Sequence, residues 1–254
     1  MRVDFAAVIG IMLGIGAIVG GNIIEGGNTS HLLQGAAALI VFGGTFGATL
    51  LSFSMKDMQH ALDCLPLIFR AKQHDPIQII TQVVDMLMRA RKMGLIALQP
   101  EIARIENPFL KKGLNLVIDG MNPAMIRDIL YQEIDTYEAS MKRASRVFES
   151  AGGYAPTIGI LGAVLGLIAV MKNVTDPSKI GSGIAVAFVA TVYGVGSANL
   201  LFIPIAKKII NQMHEEVFIR ELIIEGVLGI ESGVNPYFLK TRLNAFLAEH
   251  QAVK

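Results

Sequence analysis

One run without charge decides the fold: SAGGYAPTIGILGAVLGLIAVM, residues 150–171, between Glu149 and Lys172. Its 22 residues are enough for an α-helix to cross a bilayer, which takes about 20 apolar residues. Three more charge-free runs of similar length occupy residues 5–24, 32–55 and 180–206. We therefore predict four membrane-spanning helices and refer to them as spans one to four.

The composition of the whole chain agrees with a membrane protein. Of its 254 residues, 52% are hydrophobic and 17% are charged, against about 25% charged in a typical soluble domain. The first run is longer than the apolar core of a secretory signal, and no A-x-A-like cleavage site follows it, which favours a span over a signal peptide.

The distribution of lysine and arginine predicts the orientation. Thirteen of these residues lie between residues 54 and 150, six lie from residue 207 onward, and none lies between spans one and two. Loops rich in Lys and Arg stay in the cytoplasm. We expect a multi-pass membrane protein with both termini and the segment after span two in the cytoplasm. Twelve acidic residues offset the thirteen basic ones of that segment, so no nucleic-acid partner is predicted.

The chain divides into four parts: a transmembrane hairpin at 1–55, a cytoplasmic helical domain at 56–149, a second hairpin at 150–206 and a cytoplasmic tail at 207–254. An Asx-Pro pair is a typical helix start, and Gly often ends a helix. No segment alternates with period two, so the predicted fold is all-α, and its cytoplasmic bundle can continue the ends of spans two and three. The predicted starts are Asp75-Pro76, Asn107-Pro108, Asn122-Pro123 and Asn235-Pro236, and the predicted stops are Gly94, Gly113 and Gly120.

Spans three and four are rich in small residues, such as Gly159, Gly162 and Gly194. Small residues let helix backbones approach closely within a membrane. These two spans carry more small surface than one neighbour needs, which predicts packing against further copies or a partner. Pro156 and Pro204 lie inside the same runs. Each can either mark a helix end or form a hinge or constriction, because proline removes a backbone hydrogen bond.

Spans three and four contain no Asp, Glu, Lys, Arg or His. An ion pathway through a membrane usually needs an ionisable group. If this chain conducts ions, the carboxylate has to come from another chain. The sequence has no P-loop, no H-E-x-x-H motif and no paired cysteines, so we predict no catalytic residue, cofactor or metal site.

In span order, insertion size and local motifs, the whole chain resembles the MotA/PomA stator subunits of the bacterial flagellar motor. The motifs occur in the family's order and spacing. They are RARKMGLIAL (89–98), NPFLKKG (107–113), LVIDG (116–120), APTIGILGAVLGLI (155–168), ATVYG (190–194) and FIP (202–204).

The resemblance implies a homo-oligomer, a pentamer in the family, around two copies of a single-span partner of the MotB/PomB kind. That partner supplies the ion-carrying aspartate and binds peptidoglycan. The positions matching Pro156 and Pro204 line the inner end of the ion path and couple it to movement. Thr191 matches the hydroxyl that faces the aspartate. Ala163 stands where sodium-driven relatives tend to have threonine, so protons are the expected ion.

The resemblance also implies contact with the rotor switch protein of the flagellar C-ring through opposite charges. Arg91 matches the family's basic residue, and Lys92 is its neighbour. The family's acidic position is Gln99 here, a departure, with Glu101 two residues later. Without the resemblance, these basic residues read as a solvated helix face. Two alternatives stay open: an ExbB/TolQ-type proton-channel subunit that energises outer-membrane processes, although those relatives usually have three spans, and a membrane scaffold without an ion path.

Overall fold

The computed structural model describes residues 4–27, 29–69, 75–172, 175 and 177–252. These residues form two compact units. Unit 1 contains the described parts of Met1–Ala71 and Met141–Asn211, and unit 2 contains those of Lys72–Ser140 and Gln212–Lys254. The C-terminal tail thus shares a unit with the insertion after span two. The prediction of an all-α fold is confirmed, since no strand occurs in the part of the chain that the structure describes.

The helices of unit 1 include all four predicted spans. Among the described residues, four helical segments are long and apolar enough to cross a membrane. The elements are α1 (Phe5–Ile24), a 3₁₀ turn (Thr29–Leu32), α2 (Gly35–Ala38), a π-helical turn (Leu39–Gly43), α3 (Gly44–Ser52), α4 (Met55–Ile68), the end of α8 (Pro123–Lys172), α9 (Pro177–Ser197), a second π-helical turn (Ala198–Phe202) and the start of α10 (Ile203–Glu231).

Unit 2 begins its helices where the Asx-Pro pairs predict. Asp75 and Asn107 accept hydrogen bonds from the first free backbone N–H groups of their helices through their side-chain oxygens, which is the role of an N-cap. Pro123 and Pro236 start the other two. The remaining elements of unit 2 are α5 (Pro76–Met93), a 3₁₀ turn (Leu95–Leu98), α6 (Gln99–Ile102), α7 (Pro108–Ile118), the start of α8, the rest of α10 and α11 (Pro236–Ala252).

Two of the three predicted glycine stops are confirmed. Gly94 and Gly120 have φ values of 84° and 74°, a conformation that favours glycine, and they follow the ends of α5 and α7. The prediction for Gly113 is wrong, because this residue lies inside α7. A Cβ atom there would lie 2.9 Å from Cγ2 of Val227, so packing against α10 explains the glycine.

Spans two and three were expected to continue into the cytoplasmic bundle, and only span three does so. Span three is the C-terminal part of α8, one unbroken helix of 50 residues. Span two ends at Ser52, where Phe53 is extended with φ −131° and ψ 152°. Span four continues instead: α9 leads through the π-helical turn into α10.

In unit 2, other helices pack against glycines of α10. A Cβ on Gly226 would lie 2.7 Å from Val83 of α5, and one on Gly229 would lie 2.6 Å from Leu239 of α11. On the same helix, the guanidinium of Arg220 lies 4.1 Å from the ring centre of Tyr137, within the range of a cation–π contact.

In unit 1, spans three and four touch backbone to backbone. A Cβ atom on Gly159 would lie 2.9 Å from the carbonyl oxygen of Ala190, and one on Gly194 would lie 2.5 Å from that of Ala155. Gly166 is equally close to the backbone of Gly183. Span two packs on this pair, since Gly44 contacts Ile158.

Gly194→Ala tests the close approach of spans three and four. The added methyl group has no room, and we expect it to lower the stability of the purified chain by about 1–3 kcal/mol, the usual cost of overpacking. Gly196→Ala is the matched control, because a Cβ there meets nothing within 4 Å. Thermal unfolding in detergent compares the two variants. Equal unfolding temperatures would argue against this packing.

Glu221→Gln tests a half-buried carboxyl of unit 2. Burial, and secondarily the nearby Glu138, raise the pKa of Glu221 above its usual 4.5. The folded state therefore holds this proton more tightly than the unfolded state. The stability contributed by the group is complete below pH 4.5 and is lost as the pH rises through the folded-state pKa. Since glutamine has no charge to bury, the variant should unfold at a higher temperature than wild type at pH 8.

The control for this experiment is Glu225→Gln. Glu225 forms an ion pair with Arg242 at 2.5 Å, so its loss should not stabilise the chain. A Glu221→Gln variant that melts below wild type at pH 8 would contradict the prediction.

Candidate functional site

The pair formed by spans three and four has one side that faces away from span two. At about 100° per residue, Pro156 and Ala163 lie on one side of α8, away from Ile158, which span two contacts. On α9, Thr191 points about 200° away from Tyr193, which packs against Phe42 of span two. We call the side with Pro156, Ala163 and Thr191 the open face.

Within the part of the chain that the structure describes, the open face is only partly covered. Pro156, Ala163 and Thr191 are half-buried, and large apolar neighbours lie exposed beside them. Phe188 is 71% exposed and Ile160 is 58% exposed. In a membrane such a face contacts lipid, another copy or another protein, and its small and hydroxyl-bearing residues are typical of helix–helix contact.

The polar groups of the open face are hydroxyls. Oγ1 of Thr191 donates to the carbonyl oxygen of Ala187 at 3.3 Å, which leaves its lone pairs free to accept. At the edge of this face, about 100° around α8 from Pro156, Oγ1 of Thr157 donates to the carbonyl oxygen of Tyr154 at 2.8 Å. Hydroxyl oxygens can solvate a passing cation, but they carry no charge of their own.

The two prolines do not mark helix ends. Pro156 lies inside α8, which continues through it to Lys172. Pro204 is the second residue of α10, which directly follows the π-helical turn Ala198–Phe202, a local widening often seen at functional sites. Pro204 is exposed and lies about 20 Å beyond Thr191 along the helix path. The structure therefore brings Pro156, Ala163 and Thr191 to one face, and it places Ile203, the neighbour of Pro204, against Gly152, four residues before Pro156 on α8.

The four predicted rotor-contact residues lie in unit 2. Arg91, Lys92 and Gln99 are exposed. The guanidinium of Arg91 donates to the carbonyl oxygen of Val234 at 3.4 Å, so it joins the end of α5 to the turn before α11. Glu101 is half-buried and forms an ion pair with Arg89. Basic residues at a helix C-terminus also interact favourably with the helix dipole, which is a structural role for Arg91 and Lys92.

Comparison with known proteins gives the family. The model of the MotA/TolQ/ExbB proton channel family matches residues 101–222, and the model of the Motility protein A N-terminal region matches residues 8–94. Motility protein A of Bacillus subtilis (strain 168) is 33% identical over 252 residues, which cover 99% of this chain and 93% of that protein.

The chain belongs to the MotA/PomA family. The N-terminal match covers spans one and two. Two solved structures resemble the fold of this family member closely. The C. jejuni MotAB structure has a TM-score of 0.90 at 31% identity and covers 96% of this chain, with 95% of that chain matched. The flagellar MotAB stator complex from Bacillus subtilis has a TM-score of 0.88 at 33% identity, with 95% of each chain covered.

The family match confirms the resemblance inferred from the motifs and the four-span all-α fold. The roles of the individual residues stay predictions for this MotA/PomA chain. One residue that the sequence analysis did not single out is Tyr193, which lies inside the ATVYG motif. Its position within a charge-free span could have indicated its importance, because a phenol group buried there normally needs a hydrogen-bond partner.

Proposed function

We propose that this chain is the ion-channel and torque-generating subunit of a bacterial flagellar stator, which couples proton flow to rotation of the rotor. The observation that carries the proposal is the open face. It presents Thr191, Ala163 and Pro156 from two closely packed spans, it is only partly covered by the described residues, and spans three and four contain no Asp, Glu, Lys, Arg or His. Such a face is half of a pathway whose charge comes from another chain.

The second half of the pathway is a single-span partner. The solved relatives of similar fold are MotAB complexes, which supports a MotB-like partner here. In this assembly several copies of the chain, five by the family resemblance, surround the partner's spans with their open faces inward. The partner provides the aspartate and holds the complex to peptidoglycan.

The complex lies in the bacterial inner membrane, with both termini and unit 2 in the cytoplasm. Lys56, Arg143 and Lys207, which flank the spans, support this orientation. Each proton that crosses releases about 2.3 kcal/mol per 100 mV of membrane potential. Protons are the proposed ion because Ala163 offers a methyl group where a hydroxyl would help to replace the water around sodium.

In the cytoplasm, unit 2 contacts the rotor switch protein of the C-ring. Arg91 and Lys92 are exposed and without a carboxylate partner among the described residues, so they are available to an acidic partner. Glu101 is engaged by Arg89, and Gln99 is neutral. The contact proposed here therefore depends on the basic residues of this chain.

Thr191→Val tests the ion path. Valine keeps the shape of threonine and removes the hydroxyl. Losing a hydrogen bond to a charged group costs about 1.5–3 kcal/mol, which corresponds to a rate about 10- to 150-fold lower. In cells with this chain as their sole stator subunit, flagellar rotation should slow accordingly while the amount of membrane complex stays constant.

Thr136→Val is the matched control, because Thr136 makes the same kind of bond, to Gln132 at 2.8 Å, in unit 2.

The choice of ion is tested separately: rotation by the wild-type chain should persist without sodium and stop with a protonophore. Rotation that follows sodium and ignores the proton gradient would contradict the choice of ion. A wild-type chain that co-purifies with no single-span protein and drives no rotation would contradict the function.

Arg91→Gln tests the rotor contact. Glutamine still offers an N–H donor for the carbonyl oxygen of Val234 but carries no charge. We expect torque to fall severely while ion conduction and complex abundance remain unchanged. Arg104→Gln is the control, since Arg104 is also an exposed arginine of unit 2. Equal torque from the Arg91→Gln and wild-type chains would remove Arg91 from the contact.

A further inference from the structure

The middle of the interface between spans three and four is smooth, while nearer its ends side chains of the opposite helix meet glycines, Val170 at Gly183 and Ile203 at Gly152. The contacts of Gly159, Gly166 and Gly194 are to backbone atoms of the opposite helix, and Gly162 meets only the methyl group of Ala190 there. Helices are normally held in register by side-chain ridges that fit into grooves. An interface of glycine and alanine fixes the separation of the two helices but opposes rotation about their axes only weakly. In this middle stretch, which contains Thr191, the rotation of span four therefore needs a further contact.

Tyr193 provides a specific contact on the other side of span four. Its ring lies 5.6 Å from that of Phe42 and packs against a buried cluster that includes Val41 and Val189. Its hydroxyl donates to the carbonyl oxygen of Leu32. The same hydroxyl accepts a hydrogen bond from the backbone N–H of Gln34 at 3.4 Å.

The two groups that Tyr193 binds belong to backbone outside an α-helix. Leu32 ends the 3₁₀ turn Thr29–Leu32, and Gln34 is extended, with φ −118° and ψ 106°, directly before α2. Backbone polar groups near the apolar part of a membrane need partners. A hydroxyl can serve a donor and an acceptor together, and the phenol group of Tyr193 does so here.

This contact bears on Thr191, two residues earlier on the same helix. Two residues correspond to about 200° of rotation, so the hydroxyls of Thr191 and Tyr193 point to opposite sides of span four. Holding Tyr193 against the turn before span two therefore sets the direction of Thr191. We propose that Tyr193 is a positioning residue of the channel, which fixes the rotation of span four and thereby points the Thr191 hydroxyl onto the open face. The role of Thr191 in this inference rests on the proposed function.

Tyr193→Phe tests the proposal by removing only the hydroxyl. Tyr154→Phe is the matched control, because Tyr154 also uses its hydroxyl to join two spans, with Oγ of Ser52 at 2.8 Å. The first readout is the labelling rate of a thiol in Thr191→Cys by a water-soluble reagent, measured in the assembled complex. The buried Cys64 is replaced by alanine in this background. The second readout is flagellar rotation with Thr191 intact.

We expect Tyr193→Phe to change the labelling rate by about threefold or more and to slow rotation at constant complex abundance, while Tyr154→Phe changes neither. An unchanged labelling rate in Tyr193→Phe would overturn the proposal, even if the wild-type chain drives rotation. Equal loss of abundance in both variants, with labelling unchanged per complex, would assign Tyr193 a purely structural role and also overturn it. A changed labelling rate with no rotation from the wild-type chain would support the positioning role and overturn the proposed function instead.

Hydrogen exchange of the wild-type complex provides a test that needs no variant to assemble. The amide of Gln34 lies before the first turn of α2 and has Tyr193 as its acceptor. Slow exchange at this amide supports the contact, and exchange at the rate of an open loop would overturn it.

Discussion

Within a bilayer, every backbone N–H and C=O group needs a partner inside the protein. Helices meet this requirement, and the other features of unit 1 follow from it. Because lipid tails are as apolar as the helices, spans associate by close contact rather than by a hydrophobic drive. Gly159, Gly166 and Gly194 permit that contact. Where the backbone leaves the helix before α2, a side chain takes over, and Tyr193 satisfies both exposed groups.

The same constraint accounts for the division of the ion path between two chains in the proposed assembly. A charge inside a span is costly, and spans three and four of this chain carry none. Their open face offers hydroxyl and methyl groups, arranged on two helices that cannot separate without losing backbone contact. A partner that brings one carboxylate completes such a pathway. A single ionisable group can then be shared by several uncharged surfaces, each presented by a separate copy.

Much of the fold could be predicted from the sequence, because the relevant signals are local. The charge-free runs mark the spans, and Asp75-Pro76 and Asn107-Pro108 mark helix starts through capping that involves neighbouring residues only. The role predicted for Gly113 was wrong. A glycine is needed there because the side chain of Val227, more than a hundred residues away in the sequence, packs against it.

The candidate site was only partly predictable, because its geometry depends on contacts between residues far apart in the sequence. The motifs select Pro156, Ala163 and Thr191, but their common face depends on how spans two, three and four pack. The ion pair between Arg89 and Glu101, and the bond from Tyr193 to the turn before span two, join segments whose proximity no local pattern indicates.

The close contact between spans three and four restricts which mutations its glycine codons can accept. Every single-base change that alters a glycine codon to another amino acid adds at least one heavy atom at the α-carbon. At Gly194 and Gly159 that atom would lie 2.5 and 2.9 Å from the backbone of the opposite helix. Every missense change at these positions therefore creates a steric clash. Amino-acid changes in this gene are therefore expected to accumulate on the lipid-facing and water-facing sides of the helices, while changes at these two glycine codons lower the stability of the protein.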